Sequence, residues 1–220
     1  MEKIFWIGGS KGGVGKSAVS MALLDYLGEL CPLLVETDTA NPDVAKAYGN
    51  TVRTELLDLD ESDGWIELIN LCSEHSGPVV INSAARSDVA KNGMNLDLAL
   101  PELDRELVVF WVINRQRDSI ELLRDFLTGV KSGQVHVVRN LHFGASSKFE
   151  LFEKSKIRQE IENAGGKTLD FPDLADRVAD DLYTQRLSIA RAGTELPIGN
   201  RVELLRWRKL TTQMFKEVGL

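Results

Sequence analysis

The stretch that decides the fold lies near the start of the chain and reads Ile4-Phe5-Trp6-Ile7-Gly8-Gly9-Ser10-Lys11-Gly12-Gly13-Val14-Gly15-Lys16-Ser17. An apolar run of strand length leads into a glycine-rich loop, and the loop ends in a lysine and a serine. Val19, Leu23 and Leu27 then recur at helical spacing, which predicts a helix from Gly15 to about Leu27. A strand, a glycine loop and a helix in this order form the context that the phosphate-binding pattern GxxxxGK[ST] requires.

The rest of the chain alternates between short apolar runs and helix-length amphipathic segments, which is typical of βαβ units. The predicted strands are residues 4–8, 32–36, 78–82, 107–114, 135–139 and 167–171. No repeat or low-complexity linker divides the 220 residues, a length within the range of one α/β domain. We therefore predict one domain over residues 1–220, built on a doubly wound, mostly parallel sheet flanked by helices.

Two further segments have helical patterns. A helix is predicted to begin near Asp118 or Ser119, either of which can cap its first turn. Residues 148–163 are charged on one side and apolar on the other, through Phe149, Phe152 and Ile157. This segment is interpreted as a helix that covers the sheet, with a partner-binding helix as the alternative.

Composition excludes several classes of protein. Although 43% of the residues are hydrophobic, no apolar run approaches the roughly 20 residues of a membrane helix, so we expect a soluble chain. The N-terminal residues lack the apolar core of a secretory signal, so we expect the protein to lie in the cytoplasm. Cys31 and Cys72 lie too far apart for a CxxC metal site. The net charge of -7 argues against a surface that binds nucleic acid throughout, but a local basic patch stays open.

The glycine loop supplies the chemistry of phosphate binding. Its glycines let successive backbone amides point inward, so the phosphates of ATP are expected to bind the amides of Gly12, Gly13, Val14, Gly15, Lys16 and Ser17. The Lys16 ammonium is expected to neutralise the β and γ phosphates, and the Ser17 hydroxyl to ligate Mg²⁺. Ser10 stands where the pattern has its first glycine.

The segment from Lys11 to Ser17 resembles the deviant Walker A motif of the ParA/MinD family, whose relatives include nitrogenase iron protein and the arsenite-pump ATPases. The resemblance implies a SIMIBI-like P-loop NTPase fold, Mg²⁺-dependent ATP hydrolysis and an ATP-dependent homodimer. It also implies that Lys11 reaches across the dimer to the partner's phosphates, where a second cation offsets charge on the transferring group. The alternative is that Lys11 only solvates the edge of the loop.

Acidic residues follow the second predicted strand in the stretch Glu36-Thr37-Asp38-Thr39-Ala40-Asn41-Pro42-Asp43. They belong to the carboxyl edge of the sheet, where open α/β proteins bind ligands. The segment resembles the family's switch I, which implies that Asp38 orients the water that attacks the γ-phosphate. Turn formation around Pro42 is the alternative interpretation of Asp38 and Asp43.

The next predicted strand ends in Asn82, at the position where the family has the aspartate of its Walker B motif. An amide oxygen can accept a hydrogen bond from a Mg²⁺-bound water, so Asn82 is expected to contact the metal through water. It carries no charge, which predicts slow hydrolysis. The stretch from Pro78 to Arg86 sits where the family has its Walker B strand and the start of switch II. Residues 86–95, which are mostly polar and contain Gly93, are expected to become ordered when the γ-phosphate is present.

A later strand ends in the stretch Val138-Arg139-Asn140-Leu141. Similar proteins place an asparagine there against the adenine edge, which implies a base contact for Asn140. A turn-forming asparagine is the alternative.

The last 20 residues, 201–220, read as a helix with Leu204, Trp207, Met214 and Val218 along one side and basic residues nearby. Three interpretations compete. The helix packs on the sheet, lies on a membrane or contacts DNA phosphates. Packing is favoured because a sheet of this length needs a closing helix.

The favoured function is an ATP-dependent dimer switch that positions cargo, as in plasmid partition or mobilisation. Its expected partners are a second copy of the chain, a protein that stimulates hydrolysis and non-specific DNA. The alternatives are a nucleotide-gated binding module with little turnover and an amide-forming ATP-dependent synthetase. An iron protein is disfavoured because no cysteine follows Cys72.

Overall fold

The computed structural model describes residues 2–10, 12–84 and 92–220. These residues form a sheet of seven strands, all of which run parallel. The strands are β1 (Lys3–Gly9), β2 (Leu33–Glu36), β3 (Arg53–Leu56), β4 (Val79–Asn82), β5 (Glu106–Ile113), β6 (Gln134–Asn140) and β7 (Thr168–Phe171). Their spatial order is β3-β2-β4-β1-β5-β6-β7. The predicted fold class, a doubly wound parallel sheet flanked by helices, is confirmed.

Helices connect the strands and cover both faces of the sheet. Those of the described residues are α1 (Lys16–Tyr26), α2 (Asp43–Tyr48), α3 (Ser62–Glu74), α4 (Met94–Leu103), α5 (Asp118–Gly129), α6 (Glu150–Glu153), α7 (Lys156–Asn163), α8 (Asp176–Thr184), α9 (Ile189–Glu195) and α10 (Ile198–Lys216). Short 3₁₀ helices span Gly28–Leu30, Leu141–Phe143 and Ser146–Lys148.

Alternation along β1 divides the buried side chains between two hydrophobic cores. Phe5 and Ile7 face the core formed with α1, α2, α8, α9 and α10, whereas Ile4 and Trp6 face the core formed with α3 to α7. The Trp6 ring stacks on Trp65 of α3, with ring centroids 6.0 Å apart. Because both faces of β1 are covered, the strand holds the glycine loop on a rigid support.

Strand β3 was missed by the sequence analysis. Its Arg53 and Glu55 side chains are exposed and pair with each other at 3.2 Å, so the strand has no apolar run. It pairs with β2 at one edge of the sheet, where solvent accepts charged side chains. The other predicted strands agree with the structure to within two residues at each end.

The helix predictions hold in outline. α1 has Val19, Leu23 and Leu27 buried on one side, as expected. The predicted helix over 148–163 is broken into α6 and α7, because the Ser155 hydroxyl caps a new helix by accepting the amide of Arg158. Its apolar side chains Phe149, Phe152 and Ile157 are buried against the sheet, which confirms the covering role.

The C-terminal helix α10 packs on the sheet, and the packing interpretation is confirmed. Leu204, Trp207 and Met214 are buried, and the Trp207 indole donates to the carbonyl of Pro172 at 2.8 Å. Arg208 forms a two-pronged ion pair with Asp25 near the end of α1, at 2.8 and 3.0 Å. Across the described ranges, no helix is long and apolar enough to cross a bilayer.

Candidate nucleotide-binding site

The glycine loop follows β1 and leads directly into α1. Gly13 and Gly15 have φ values of +78° and +107°, which residues with a side chain rarely adopt. A Cβ atom at Gly12 or Gly13 would meet no heavy atom within 4 Å. The space beside these two glycines is therefore open, and they lie at the N-terminus of a helix, where backbone amides and the helix dipole favour an anion.

Ser10 departs from the glycine of the pattern, and the structure explains why a serine fits. Its side chain is buried and its hydroxyl lies 3.0 Å from the hydroxyl of Ser119 in α5. Ser119 in turn donates to Asn114 Oδ1 at 2.8 Å. The expectation that Asp118 or Ser119 caps this helix is wrong, because α5 begins at Asp118 with Arg117 as its N-cap residue. Ser119 instead fixes the first residue of the loop.

Asn140, at the end of β6, supports the loop from the opposite side. Its Nδ2 donates to the carbonyl of Val14 at 2.9 Å, and its Oδ1 accepts the amide of His142. A Cβ atom on Gly15 would lie 2.3 Å from Asn140 Nδ2, so the close approach requires glycine. The structure therefore gives Asn140 a contact with the loop and a turn-forming role, and its predicted base contact stays a prediction.

Lys16 begins α1 and is buried at the bottom of the loop. Burial lowers the pKa of its ammonium below the usual value, and the carboxylates of Asp38 and Glu36 act in the opposite direction. The side chain thus lies within electrostatic reach of both acidic residues that end β2. This arrangement places a cation between the loop and the carboxyl edge of the sheet.

Glu36 and Asn82 are paired side by side at the ends of β2 and β4. The Asn82 amide donates from Nδ2 to both carboxylate oxygens of Glu36, at 2.9 and 3.1 Å. Asn82 Oδ1 accepts the hydroxyl of Ser20, one turn after Lys16 in α1, at 2.8 Å. Burial raises the pKa of Glu36 to about 7, an effect that the hydrogen bond from Asn82 reduces.

The buried Glu36 carboxyl makes stability depend on pH. A carboxyl group whose pKa rises from 4.5 to about 7 on folding binds its proton more tightly in the folded protein. Between these pH values the free energy of unfolding therefore falls as pH rises, by about 3 kcal/mol in total. Glu36→Gln removes this loss, so the variant is expected to gain stability relative to the unmutated protein as the pH increases from 5 to 8.

Urea denaturation at several pH values measures this difference, with Glu55→Gln on β3 as the matched control. Burial lowers the pKa of His136 to about 4, so this residue destabilises the fold as pH falls. Its contribution is the same in both proteins and cancels when the free energy of unfolding of the unmutated protein is subtracted from that of Glu36→Gln. If the difference in the free energy of unfolding between Glu36→Gln and the unmutated protein were the same at pH 5 and pH 8, the raised pKa of a buried Glu36 would be contradicted.

Asp38 follows β2 and is half-buried at the wall of the cleft described below. Its Oδ1 accepts the amide of Asn41 at 2.9 Å, and its own amide donates to Glu36 Oε1 at 3.2 Å. The side chain thus forms the turn that the alternative interpretation expects. The contacts of Asp38 within residues 2–10, 12–84 and 92–220 do not test an attacking water there, so the catalytic role remains a prediction.

A cleft of about 600 Å³ joins these elements at the carboxyl edge of the sheet. Gly12, Gly13, Gly15, Lys16 and Ser17 line its phosphate end, with Asp38 and Asn82 beside them, and Asn140, His142, Phe171, Pro172, Asp173 and Leu174 line the region towards β7. One end therefore suits an anion and the other suits a flat, partly apolar group, which is the distribution of chemistry in a nucleotide.

The structure brings most of the predicted site residues into this cleft, but not all can be placed. Lys11 and residues 86–91 of the expected switch II lie outside the described residues. Ser20 was not predicted from the sequence, Ser119 was expected only to cap a helix, and Glu36 had no predicted role of its own. Their contacts join elements far apart in sequence, and no local pattern carries that information.

No family model matches the chain. The protein MobD of Acidithiobacillus ferrooxidans is 54% identical over 222 residues, which cover 99% of this chain and 98% of that protein.

Solved structures share the fold at low sequence identity. The septum site-determining protein MinD of Pyrococcus horikoshii OT3, solved with Mg-ADP, has a TM-score of 0.59 at 13% identity. The match covers 100% of this chain and 96% of the MinD chain. A Borrelia burgdorferi B31 protein assigned to plasmid partition and bound to AMPPNP has a TM-score of 0.59 at 15% identity, with coverages of 99% and 100%. MinD of Aquifex aeolicus, solved in complex with MinC, has a TM-score of 0.53 at 12% identity, with coverages of 99% and 97%. The fold is therefore that of MinD- and ParA-type P-loop proteins.

Proposed function

This chain belongs to the same protein family as MobD, and from that premise we propose that it is an ATP-binding, slowly hydrolysing ATPase. It acts as a nucleotide-dependent dimer switch that positions cargo, in the mobilisation or partition of a plasmid or other DNA. The observation that carries the proposal is the open glycine loop above a buried Lys16, at the start of a cleft with a nucleotide's distribution of polar and apolar surface.

The residues of the cleft fit a magnesium nucleotide. The amides from Gly12 to Ser17 would bind the phosphates, in a loop that the positive φ values of Gly13 and Gly15 shape. The Ser17 hydroxyl would hold Mg²⁺ directly and Asn82 would hold it through water, because Mg²⁺ binds hard oxygen ligands and retains several waters. Bound Mg²⁺ would neutralise charge on the phosphate oxygens.

The chain's own residues divide the remaining work of hydrolysis. Lys16 stabilises the negative charge of the β and γ phosphates, and Asp38 orients the attacking water through the carboxylate oxygen that the Asn41 amide leaves available. Asn82 contributes no charge at the metal, so turnover is slow. Lys11 of one copy offsets charge at the phosphates of the other, which couples dimerisation to hydrolysis.

The proposed partners follow from this switch. A second copy of the chain binds in the ATP state, and a further protein stimulates hydrolysis. The MinC complex of an Aquifex aeolicus protein with the same fold supports the binding of a partner protein. Non-specific DNA is the other proposed partner, supported by the fold shared with the Borrelia burgdorferi protein assigned to plasmid partition. The proposed compartment is the cytoplasm.

A nucleotide-gated module with little turnover is the second candidate. It is favoured by Asn82, whose amide is uncharged and already donates to Glu36 and accepts from Ser20. Phosphate release distinguishes the two, because only the ATPase produces phosphate in multiple turnovers. A dimer that forms with ATP but releases no phosphate would favour the gated module.

Lys11→Ala tests the switch. With Mg²⁺ and AMPPNP the unmutated protein is expected to sediment as a dimer and with ADP as a monomer. The variant is expected to stay monomeric in both, since it lacks the cation that crosses the dimer, while it still binds nucleotide through Lys16. Sedimentation velocity measures the association, and Lys154→Ala, which removes an exposed lysine paired with Glu150, is the matched control. An unmutated protein that stays monomeric with AMPPNP would contradict the switch.

A further inference from the structure

Asn82 occupies a position where a magnesium site would gain from a negative charge. In register it lies between Glu36 of β2 and Ile7 of β1, and it lines the cleft together with Lys16 and Ser17. Its side chain is a buried amide, which contributes a dipole but no charge to a cation. The described cleft therefore lacks a carboxylate at the end of β4.

A carboxylate is present one strand away. Glu36 is fully buried, and both of its oxygens accept Asn82 Nδ2. A buried carboxylate is costly, and an uncharged glutamine of the same shape could accept the same hydrogen bond. Burial of this charge at the end of β2 therefore costs free energy and does not stabilise the fold. The charge is better explained by a role in the site.

The orientation of the Asn82 amide connects this charge to the phosphate loop. Because Nδ2 is held by the carboxylate, Oδ1 is turned towards α1, where it accepts the Ser20 hydroxyl at 2.8 Å. Ser20 is one turn beyond Lys16 and Ser17 on the same helix. A reversed amide would place two acceptors together at Glu36 and leave the Ser20 hydroxyl without this acceptor.

The same carboxylate also holds the backbone at Asp38. Glu36 Oε1 accepts the amide of Asp38 at 3.2 Å, so one carboxylate holds the start of the Asp38 turn and the Asn82 amide together.

We propose that Glu36 is a positioning residue that supplies, through Asn82, the negative charge of a divalent-cation site at the phosphate end of the cleft. The negative charge stands at the end of β2 rather than at the end of β4, and the Asn82 amide is held with its oxygen towards α1, where Ser17 lies one turn before Ser20. This inference rests on the proposed function, since the cation binds there together with nucleotide phosphates.

The test exchanges the two side chains. Glu36→Gln removes the charge and keeps the hydrogen-bonding shape, whereas Glu36→Gln combined with Asn82→Asp returns one charge to the other strand. The measured quantity is the affinity for a fluorescent ADP analogue at pH 8, in EDTA and in Mg²⁺, and the ratio of the two affinities is the magnesium enhancement. Glu55→Gln, at the same edge of the sheet but away from Asn82, is the control.

Glu36→Gln is expected to reduce the magnesium enhancement about tenfold, because one nearby charge is lost, with little change in the affinity measured in EDTA. The exchanged double variant is expected to recover the enhancement to within about threefold, a recovery that a purely structural role would not give. Glu55→Gln should match the unmutated protein.

Two other outcomes separate the proposed function from the role of Glu36. An unmutated protein that binds the analogue without any magnesium enhancement contradicts the metal site of the proposed function. An enhancement that survives Glu36→Gln, or that the double variant does not recover, overturns the role of Glu36 while nucleotide binding stands.

Discussion

A Lys16→Ala variant is expected to lose about 1,000-fold in affinity for ATP while it keeps its fold. The ammonium lies at the bottom of the glycine loop, buried from solvent, where water screens little of its attraction to phosphate. A unit charge pair about 4 Å apart near a protein surface is worth about 4 kcal/mol, which corresponds to that factor. Isothermal titration calorimetry with Mg-ATP measures the affinity.

The fold is expected to survive because burial already lowers the pKa of Lys16, so its removal takes a desolvated charge out of the protein. Lys154→Ala, on an exposed pair with Glu150, is the matched control and should bind ATP like the unmutated protein. If Lys16→Ala binds ATP with unchanged affinity, the nucleotide does not lie on this loop and the proposed function is wrong.

Gly15→Ala is expected to destabilise the protein by about 4 kcal/mol and to abolish nucleotide binding. The backbone at this residue has φ of +107°, which adds strain to any residue with a side chain. The added methyl group would also lie 2.3 Å from Asn140 Nδ2 and would displace the amide that donates to Val14. Loss of that hydrogen bond and the steric overlap add to the strain.

Gly12→Ala is the matched control, since it makes the same change in the same loop. A Cβ atom there meets no heavy atom within 4 Å, so stability should change by less than about 1 kcal/mol. Urea denaturation compares the two variants. Equal stabilities would mean that Asn140 does not brace the loop.

The sequence predicts the central strands and the loop well because their signals are local. β1, β4 and β5 are continuous apolar runs, and the glycine loop contains its own turn residues and its own lysine. β3 was missed because Arg53 and Glu55 at an exposed edge remove the apolar pattern by which a buried strand is recognised. The break at Ser155 was missed because Lys154 and Lys156 fit a continuous helix equally well.

The candidate site is harder to predict, since its side chains meet only after the sheet is assembled. The pair of Glu36 and Asn82 depends on β4 lying beside β2, an order that no pattern within either strand reveals. The contact between Ser10 and Ser119 spans 109 residues, and that between Asn140 and Val14 spans 126. Residue types predicted a phosphate site, whereas the contacts that support it required the fold.

The ion pair between Arg208 and Asp25 connects the C-terminal end of α1 to the C-terminal helix α10. The helix starts at Lys16, and Asp25 lies about 14 Å further along its axis. Under the proposed function, we expect a displacement of Lys16 on release of a phosphate to be transmitted along α1 to Arg208 in α10. The C-terminal helix would then respond to the chemistry of the glycine loop.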